Sequence, residues 1–333
     1  MKLNILSFNN PIWFMRQAGR HLPEYKEIRS KKESFIDFCF DYESIVKSTL
    51  QPIARYDLDC AIIFSDILVV PYILGQRIDF IKGKGPKLED LEINKLLCLK
   101  TEKKRLEDLE NCYKAIREVR KKLNKNKCLI GFCGAPWTVA CYMIDGGNKN
   151  RFKKSKASVK TSKTQLKALL EKISDISTTH LINQYKSGCD TLMIFESWAG
   201  ILDSEDYNDI LYEPVEQIIK NLKSKNVNAP IIVFPKGIGR NIVEYLNHVS
   251  ADVLSIDHKT NLKWVINNIK KDIVLQGNIN PNLLLEGGSR LTAEVKKLKE
   301  TVKGRKHIYN LGHGMLPDTP ISNVQKTIRT LRT

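Results

Sequence analysis

Short apolar runs punctuate this chain from one end to the other. They fall at residues 12–15, 61–64, 129–132, 191–195, 231–234, 253–256, 273–275 and 307–311. Most are apolar throughout, the pattern of strands covered on both faces in a parallel sheet. Between them the spacing changes to three and four. Ile45, Val46, Thr49, Leu50 and Ile53 make one stripe. Leu166, Leu169, Leu170 and Ile173 make a second, and Leu291, Val295, Leu298 and Val302 a third. Each stripe marks the buried face of an otherwise charged helix. Strands alternating with helices predict βα units and a parallel sheet. Eight such units predict an α/β fold of one catalytic domain over residues 1–333, a single closed (β/α)8 TIM barrel, which takes about 250 residues before insertions. The rival, an open doubly wound sheet, usually begins with a glycine-rich phosphate turn. No G-x-G-x-x-G or Walker motif follows any run. Residues 77–88, after the second run, read as an inserted hairpin or lid with Gly83, Gly85 and Pro86 at its turn.

Charge adds a suggestion about partners. Lys and Arg number 54 against 37 Asp and Glu, a net +17. That balance suits an anionic partner, or simply a solvated lysine surface such as 151–167 and 296–306. A basic nucleic-acid-binding protein is the rival from another class, but no zinc-finger spacing or aromatic-glycine RNA signature supports it. We expect no nucleic-acid partner. The eight cysteines form no C-x-x-C, and several lie in or beside apolar runs, as reduced core residues of a cytoplasmic protein do. The apolar patch near the N-terminus is broken by Ser7, Asn9, Asn10 and Pro11. It predicts no leader peptide. No run approaches the roughly 20 residues that span a bilayer, so no membrane association is expected.

Candidate chemistry collects directly after the predicted strands, the rim where barrels of this type place their sites. The first run leads into Arg16, Gln17, Ala18, Gly19 and Arg20, the second into Ser65 and Asp66. Tyr142 lies beyond the third, Glu196, Ser197 and Trp198 close the fourth, and His313 follows the last between Gly312 and Gly314. Arg16 and Arg20 suit bidentate binding of carboxylates, or structural ion pairs. Asp66 stands between two apolar runs and needs donors. It suits a helix N-cap, or a ligand offering several N–H groups. Tyr142 reads as a core aromatic or a ligand contact, and Ser197 as a helix cap or a ligand contact. The glycines beside His313 would let backbone approach a ligand. No H-x-x-x-H, C-x-x-C or H-x-C spacing points to a metal.

These residues sit in longer stretches of recognisable type. PIWFMRQAGRHLPEY (11–25) resembles the first signature of the uroporphyrinogen decarboxylase family, and GFCGAPWTVACYMIDGG (131–147) resembles the second. IIFSDIL (62–68), FESWAG (195–200), LQGNINP (275–281) and NLGHG (310–314) match in the same order. The resemblance implies a (β/α)8 barrel and a homodimer that uses no cofactor and no metal. It implies conversion of the four acetate side chains of uroporphyrinogen III to methyls, giving coproporphyrinogen III. By the motif match, Arg16, Gln17, Ala18, Gly19 and Arg20 fall in the substrate-binding loop. Asp66 matches the aspartate that contacts the pyrrole N–H groups, and Tyr142, Ser197 and His313 match further substrate contacts. Glu196 stands where an aspartate is common, Ile238 where a glycine is frequent, and 256–261 departs from the usual run.

Chemically, an ionised Asp66 near the ring nitrogens would stabilise the cation formed when a pyrrole carbon is protonated. Phe14, Met15 and Phe64 are candidates for apolar walls, and Arg16, Tyr142 and His313 are the candidate proton donors. A corrinoid-dependent methyltransferase on the same barrel is the nearest rival. It would need His and Cys ligands for zinc, yet no cysteine lies beyond Cys189.

Overall fold

The structure, a computed structural model, describes residues 3–81, 85–147 and 152–333. Seven parallel strands form the main sheet in the order β1-β4-β5-β6-β7-β8-β9. They are β1 (Cys60–Ile62), β4 (Cys128–Gly134), β5 (Thr191–Glu196), β6 (Ile231–Pro235), β7 (Val253–Ser255), β8 (Val274–Ile279) and β9 (His307–Leu311). Each strand is joined to the next through at least one helix, as parallel pairing requires.

The sheet has two apolar faces, and this explains the unbroken runs. Cys60, Ile62, Cys128, Ile130, Met193, Ile232, Phe234, Val253, Val274 and Ile308 meet in one inner cluster. Their chain neighbours Ala61, Leu129, Leu192, Ile194, Val233, Leu254 and Leu275 face the other way, into the core shared with the helices. The two-residue period of a strand therefore sorts side chains into two cores. The sheet curls around the inner one.

The predicted strand at 12–15 is not a strand; it shrinks to a single parallel bridge between Ile12 and Tyr309. Its backbone finds other partners. The Met15 N–H donates to the Asn310 side chain at 2.9 Å and the Phe14 N–H to the Gln17 side chain at 3.0 Å. Pro11 has no N–H to offer, and Arg16 turns the chain with φ 62°. The segment still touches both edges of the sheet. Tyr309 N–H donates to Pro11 O (2.9 Å) and Trp13 N–H to Tyr309 O (3.2 Å) on one side. On the other, Asp59 N–H donates to Ile12 O (2.9 Å), and Ile12 N–H to the Asp59 carboxylate (2.7 Å).

The predicted helical stripes hold. Helix Tyr42–Arg55 buries Ile45, Val46 and Thr49 and is capped by Asp41, which accepts the Ser44 N–H at 2.9 Å. Helix Lys163–Ser187 buries Leu166, Leu169, Leu170 and Ile173, and helix Gly288–Thr301 buries Leu291, Val295 and Leu298. The insertion is a hairpin of β2 (Ile78–Ile81) and β3 (Gly85–Leu88). Gly85 and Pro86 belong to its second strand, while Gly83 and Arg151 lie outside the described residues. Leu88 N–H donates to Gly146 O (2.9 Å), and Gln76 reaches Met143 O (2.9 Å), so the hairpin is tied to the end of helix Pro136–Asp145. Seven of the eight cysteines are buried and Cys98 is exposed. Among the described residues, no helix is long and apolar enough to cross a membrane.

Candidate active site

The loop after Ile12 is built around one buried amide. Gln17 is fully buried, donates to Cys60 O on β1 at 3.0 Å and accepts the Phe14 N–H. Its side chain is committed to the loop's own backbone. Gly19 belongs to a tight turn in which a Cβ would fall 2.9 Å from Arg16 O, and Ala18 is half-buried. These residues present Arg16 and Arg20, both exposed. Among the described residues neither guanidinium has a carboxylate partner, so the structural ion pairs do not form. Phe14 and Phe64 pack in the core shared with the helices, and Met15 in the inner cluster.

Beyond β1, Phe64 N–H is taken by the Thr49 hydroxyl (2.9 Å), and the chain turns at Ile67 and Leu68. Asp66 accepts the Leu68 N–H at 2.9 Å, a local turn bond that leaves the carboxylate room for other donors. It does not cap helix Val69–Leu74, whose cap is Leu68. Asp66 is half-buried. Loss of water raises its pKa, against the Leu68 N–H and the positive field of Arg16. Tyr25 feels both Arg20 and Asp66, which brings the second arginine into the same neighbourhood.

Tyr142, half-buried on helix Pro136–Asp145, stands edge-on to Phe152 (5.5 Å between ring centres) and Trp198 (6.4 Å). Its phenol is pushed up by burial, and it senses both Asp66 and Arg16. Ser197 is half-buried and does not cap the turn that follows, where Trp198 holds the cap position. That turn is pinned from helix Pro136–Asp145. Trp198 N–H donates to the Thr138 hydroxyl (3.1 Å), and the Thr138 hydroxyl donates to Glu196.

His313 is half-buried at the end of β9. Its Nδ1 accepts the Gly314 N–H at 2.7 Å, so the neutral ring carries its proton on Nε2. Burial, then the cations Lys236 and Arg16, lower its pKa to about 3. The flanking glycines make room for protein, where the sequence suggested room for a ligand. A Cβ on Gly312 would lie 2.7 Å from His258 Cα, and one on Gly314 2.8 Å from Arg16 Nε. Arg16 is thus laid across the β9 loop.

Asp66, Arg16, Tyr142 and His313 therefore come together through shared electrostatic contacts at the C-terminal ends of β1, β4 and β9. Sequence reasoning gave no role to Lys236 and Asp257, although one lies two residues after a predicted strand and the other directly after one, the signal that marked the others. Asp257 ties the β6 and β7 ends by accepting from Gly237 N (3.1 Å), Lys259 N (2.8 Å) and Thr260 Oγ1 (2.9 Å). A crevice of about 520 Å³ adjoins the site at His258 and runs towards Lys297. Among the described residues, the cluster with metal-donor spacing is Asp203, Glu205 and Asp206, which holds no His or Cys. Free cations gathered about one partly desolvated carboxylate suit a polycarboxylate that also offers N–H donors.

Comparison with known proteins agrees. Residues 9–333 match the model of the family described as uroporphyrinogen decarboxylase (URO-D). The uroporphyrinogen decarboxylase of Rickettsia africae (strain ESF-5) is 42% identical over 99% of this chain and 96% of its own length. That of Rickettsia conorii (strain ATCC VR-613 / Malish 7) is 42% identical over 97% of this chain and 94% of its own. A solved methyltransferase from Methanosarcina mazei superposes with a TM-score of 0.77 at 18% identity, over 97% of this chain and 94% of that one. At that identity the likeness concerns the fold alone. The signatures, the match from residue 9 to the last residue and the two relatives converge: the chain belongs to the uroporphyrinogen decarboxylase family.

Proposed function

We propose that this chain removes the four acetate carboxyl groups of uroporphyrinogen III as CO2, leaving methyls and giving coproporphyrinogen III in haem and porphyrin synthesis. The observation that carries this reading is Asp66, a partly desolvated carboxylate within the field of Arg16, in a chain of this family.

The reaction needs an electron sink. Protonation of the ring carbon beside the acetate-bearing carbon makes the pyrrole a cation. The bond to the carboxylate then breaks, CO2 leaves, and its electron pair neutralises the ring. The exposed methylene takes a proton to become methyl, and the ring carbon returns its own. One proton has replaced one CO2, and the ring itself supplied the sink, so the step calls for no cofactor. An ionised Asp66 beside the pyrrole N–H groups favours the cation at each stage. Its raised pKa means that the protein's own groups hold this charge poorly and that N–H donors from a substrate would favour it.

Arg16 and Arg20 receive substrate carboxylates, with Gln17, Ala18 and Gly19 shaping the loop, and Tyr142, Ser197 and His313 line the same mouth. His313 is a neutral Nε2–H donor at working pH, since its imidazolium is scarce. Burial also weakens Tyr142 as an acid. Neither is strengthened as the proton donor, and Arg16, whose guanidinium is a poor acid, serves as a positioning group. We further propose that residues 11–15 close the sheet into an eight-membered barrel forming one domain, a reading supported by their bonds to both edges. A homodimer in the cytoplasm completes the proposal. Incubation with uroporphyrinogen III under anaerobic, reducing conditions tests the function by product mass. Four successive losses of CO2 are expected, and an unchanged substrate would overturn the reading.

A further inference from the structure

Lys236 is the residue directly after β6, and the backbone holds it firmly. Its N–H lies 3.0 Å from both Glu196 O and Phe234 O, and its carbonyl accepts the Gly200 N–H at 3.0 Å. The side chain is half-buried, with Nζ 5.3 Å from the centre of the Trp198 indole. Trp198 is in turn fixed by Thr138, and its carbonyl accepts the Trp137 Nε1–H at 3.2 Å. An indole face beneath an ammonium orients the charge without neutralising it. Among the described residues no carboxylate pairs with Lys236. The acid whose field it feels, Asp257, is already occupied by Gly237, Lys259 and Thr260. A cation that has lost part of its water without gaining an anion is poised to bind one.

Its position in the sheet says which anion. β6 is the central strand of the seven, three removed from either edge. The segment carrying Arg16 bonds to the edges, at Tyr309 and Asp59. Lys236 and Arg16 therefore enter the site from different parts of the sheet, and they meet there: Lys236 feels the charge of Arg16, and His313 feels both. We propose that Lys236 is a third carboxylate-binding cation of this site, gripping a propionate of the bound tetrapyrrole from the central strand of the sheet. This rests on the decarboxylase reading. A propionate is the fitting partner because it is retained. An ammonium on a departing acetate would stabilise the ground state and slow the loss of CO2.

The test is steady-state kinetics of Lys236→Gln on uroporphyrinogen III and on its partly decarboxylated intermediates, all of which keep their propionates. A charged hydrogen bond lost from bound substrate is expected to raise KM on the order of tenfold to a hundredfold, with kcat changed much less. The same factor is expected for every intermediate. Lys236→Arg, which keeps the charge, is expected to recover most of the loss, and coproporphyrinogen is expected to bind the Gln variant more weakly by a similar factor. An unchanged KM, or a KM effect that fades as acetates disappear, would overturn the proposal. So would loss of kcat alone. The binding measurement reads the same interaction should Lys236→Gln prove too unstable for kinetics. If the parent chain itself shows no turnover, the decarboxylase reading fails instead, so the two failures are distinct.

Discussion

Glu196 offers a quantitative check on the electrostatics of the site. The side chain is 1% exposed at the end of β5. One oxygen accepts from Thr138; the other is buried without a hydrogen-bond partner, and no cation pairs with it among the described residues. Burial pushes its pKa from 4.5 up to about 8, against the pull of the Thr138 hydroxyl and the neighbouring N–H groups. The folded chain therefore keeps a proton that the unfolded chain releases between those two values. In that window the unfolded state binds fewer protons, so stability falls as pH rises, by ~1.4 kcal/mol per pH unit. The contribution is fully present below 4.5 and is lost by the time pH passes about 8. Over the whole window it amounts to about 5 kcal/mol. Glu196→Gln cannot ionise and lacks this slope. Its amide hydrogens need partners, a constant penalty of about 1–3 kcal/mol. The variant is expected to be no more stable than the parent near pH 5 and to overtake it by pH 8. Urea unfolding followed by tryptophan fluorescence from pH 5 to 8 reads the difference. A difference that stays flat across that range would refute the assignment.

Two further outcomes follow from the packing. Gln17→Ala strips a buried amide that serves Phe14 N–H and Cys60 O; a loss of about 2–4 kcal/mol in urea unfolding is expected, together with reduced turnover as Arg16 loses its footing. Gly312→Ala drives a Cβ against the His258 backbone, which has no flexible end to yield, and is expected to lower stability by about 1–3 kcal/mol, read as a fall in the thermal midpoint.

The strands were legible because both faces of this sheet are dry, so that each run stays apolar without a break. Residues 12–15 looked the same and are not a strand, because three of their four N–H groups go to Asp59, Gln17 and Asn310, side chains far away in sequence or just past the run. No local pattern encodes that. The site was legible as a set of positions, most of them placed just after a predicted strand, with Tyr142 one helix turn or more beyond. What each residue does there depends on what faces it. Gln17 was expected among the substrate contacts, yet its side chain braces the loop from inside. Gly312 and Gly314 were taken as room for a ligand and serve His258 and Arg16. Lys236 occupies the same kind of position as Asp66, but its meaning rests on Trp198 beneath it and on its having no paired carboxylate among the described residues.

The central claim is that the negative charge of Asp66 lowers the barrier to decarboxylation. Asp66→Asn keeps the shape and removes the charge, and the direct measurement is its kcat beside its affinity for uroporphyrinogen III. One charge pair at about 4 Å and an effective dielectric near 20 is worth on the order of 4 kcal/mol, so kcat is expected to fall by about three orders of magnitude while substrate binding weakens far less. Turnover within a few-fold of the parent would contradict the claim.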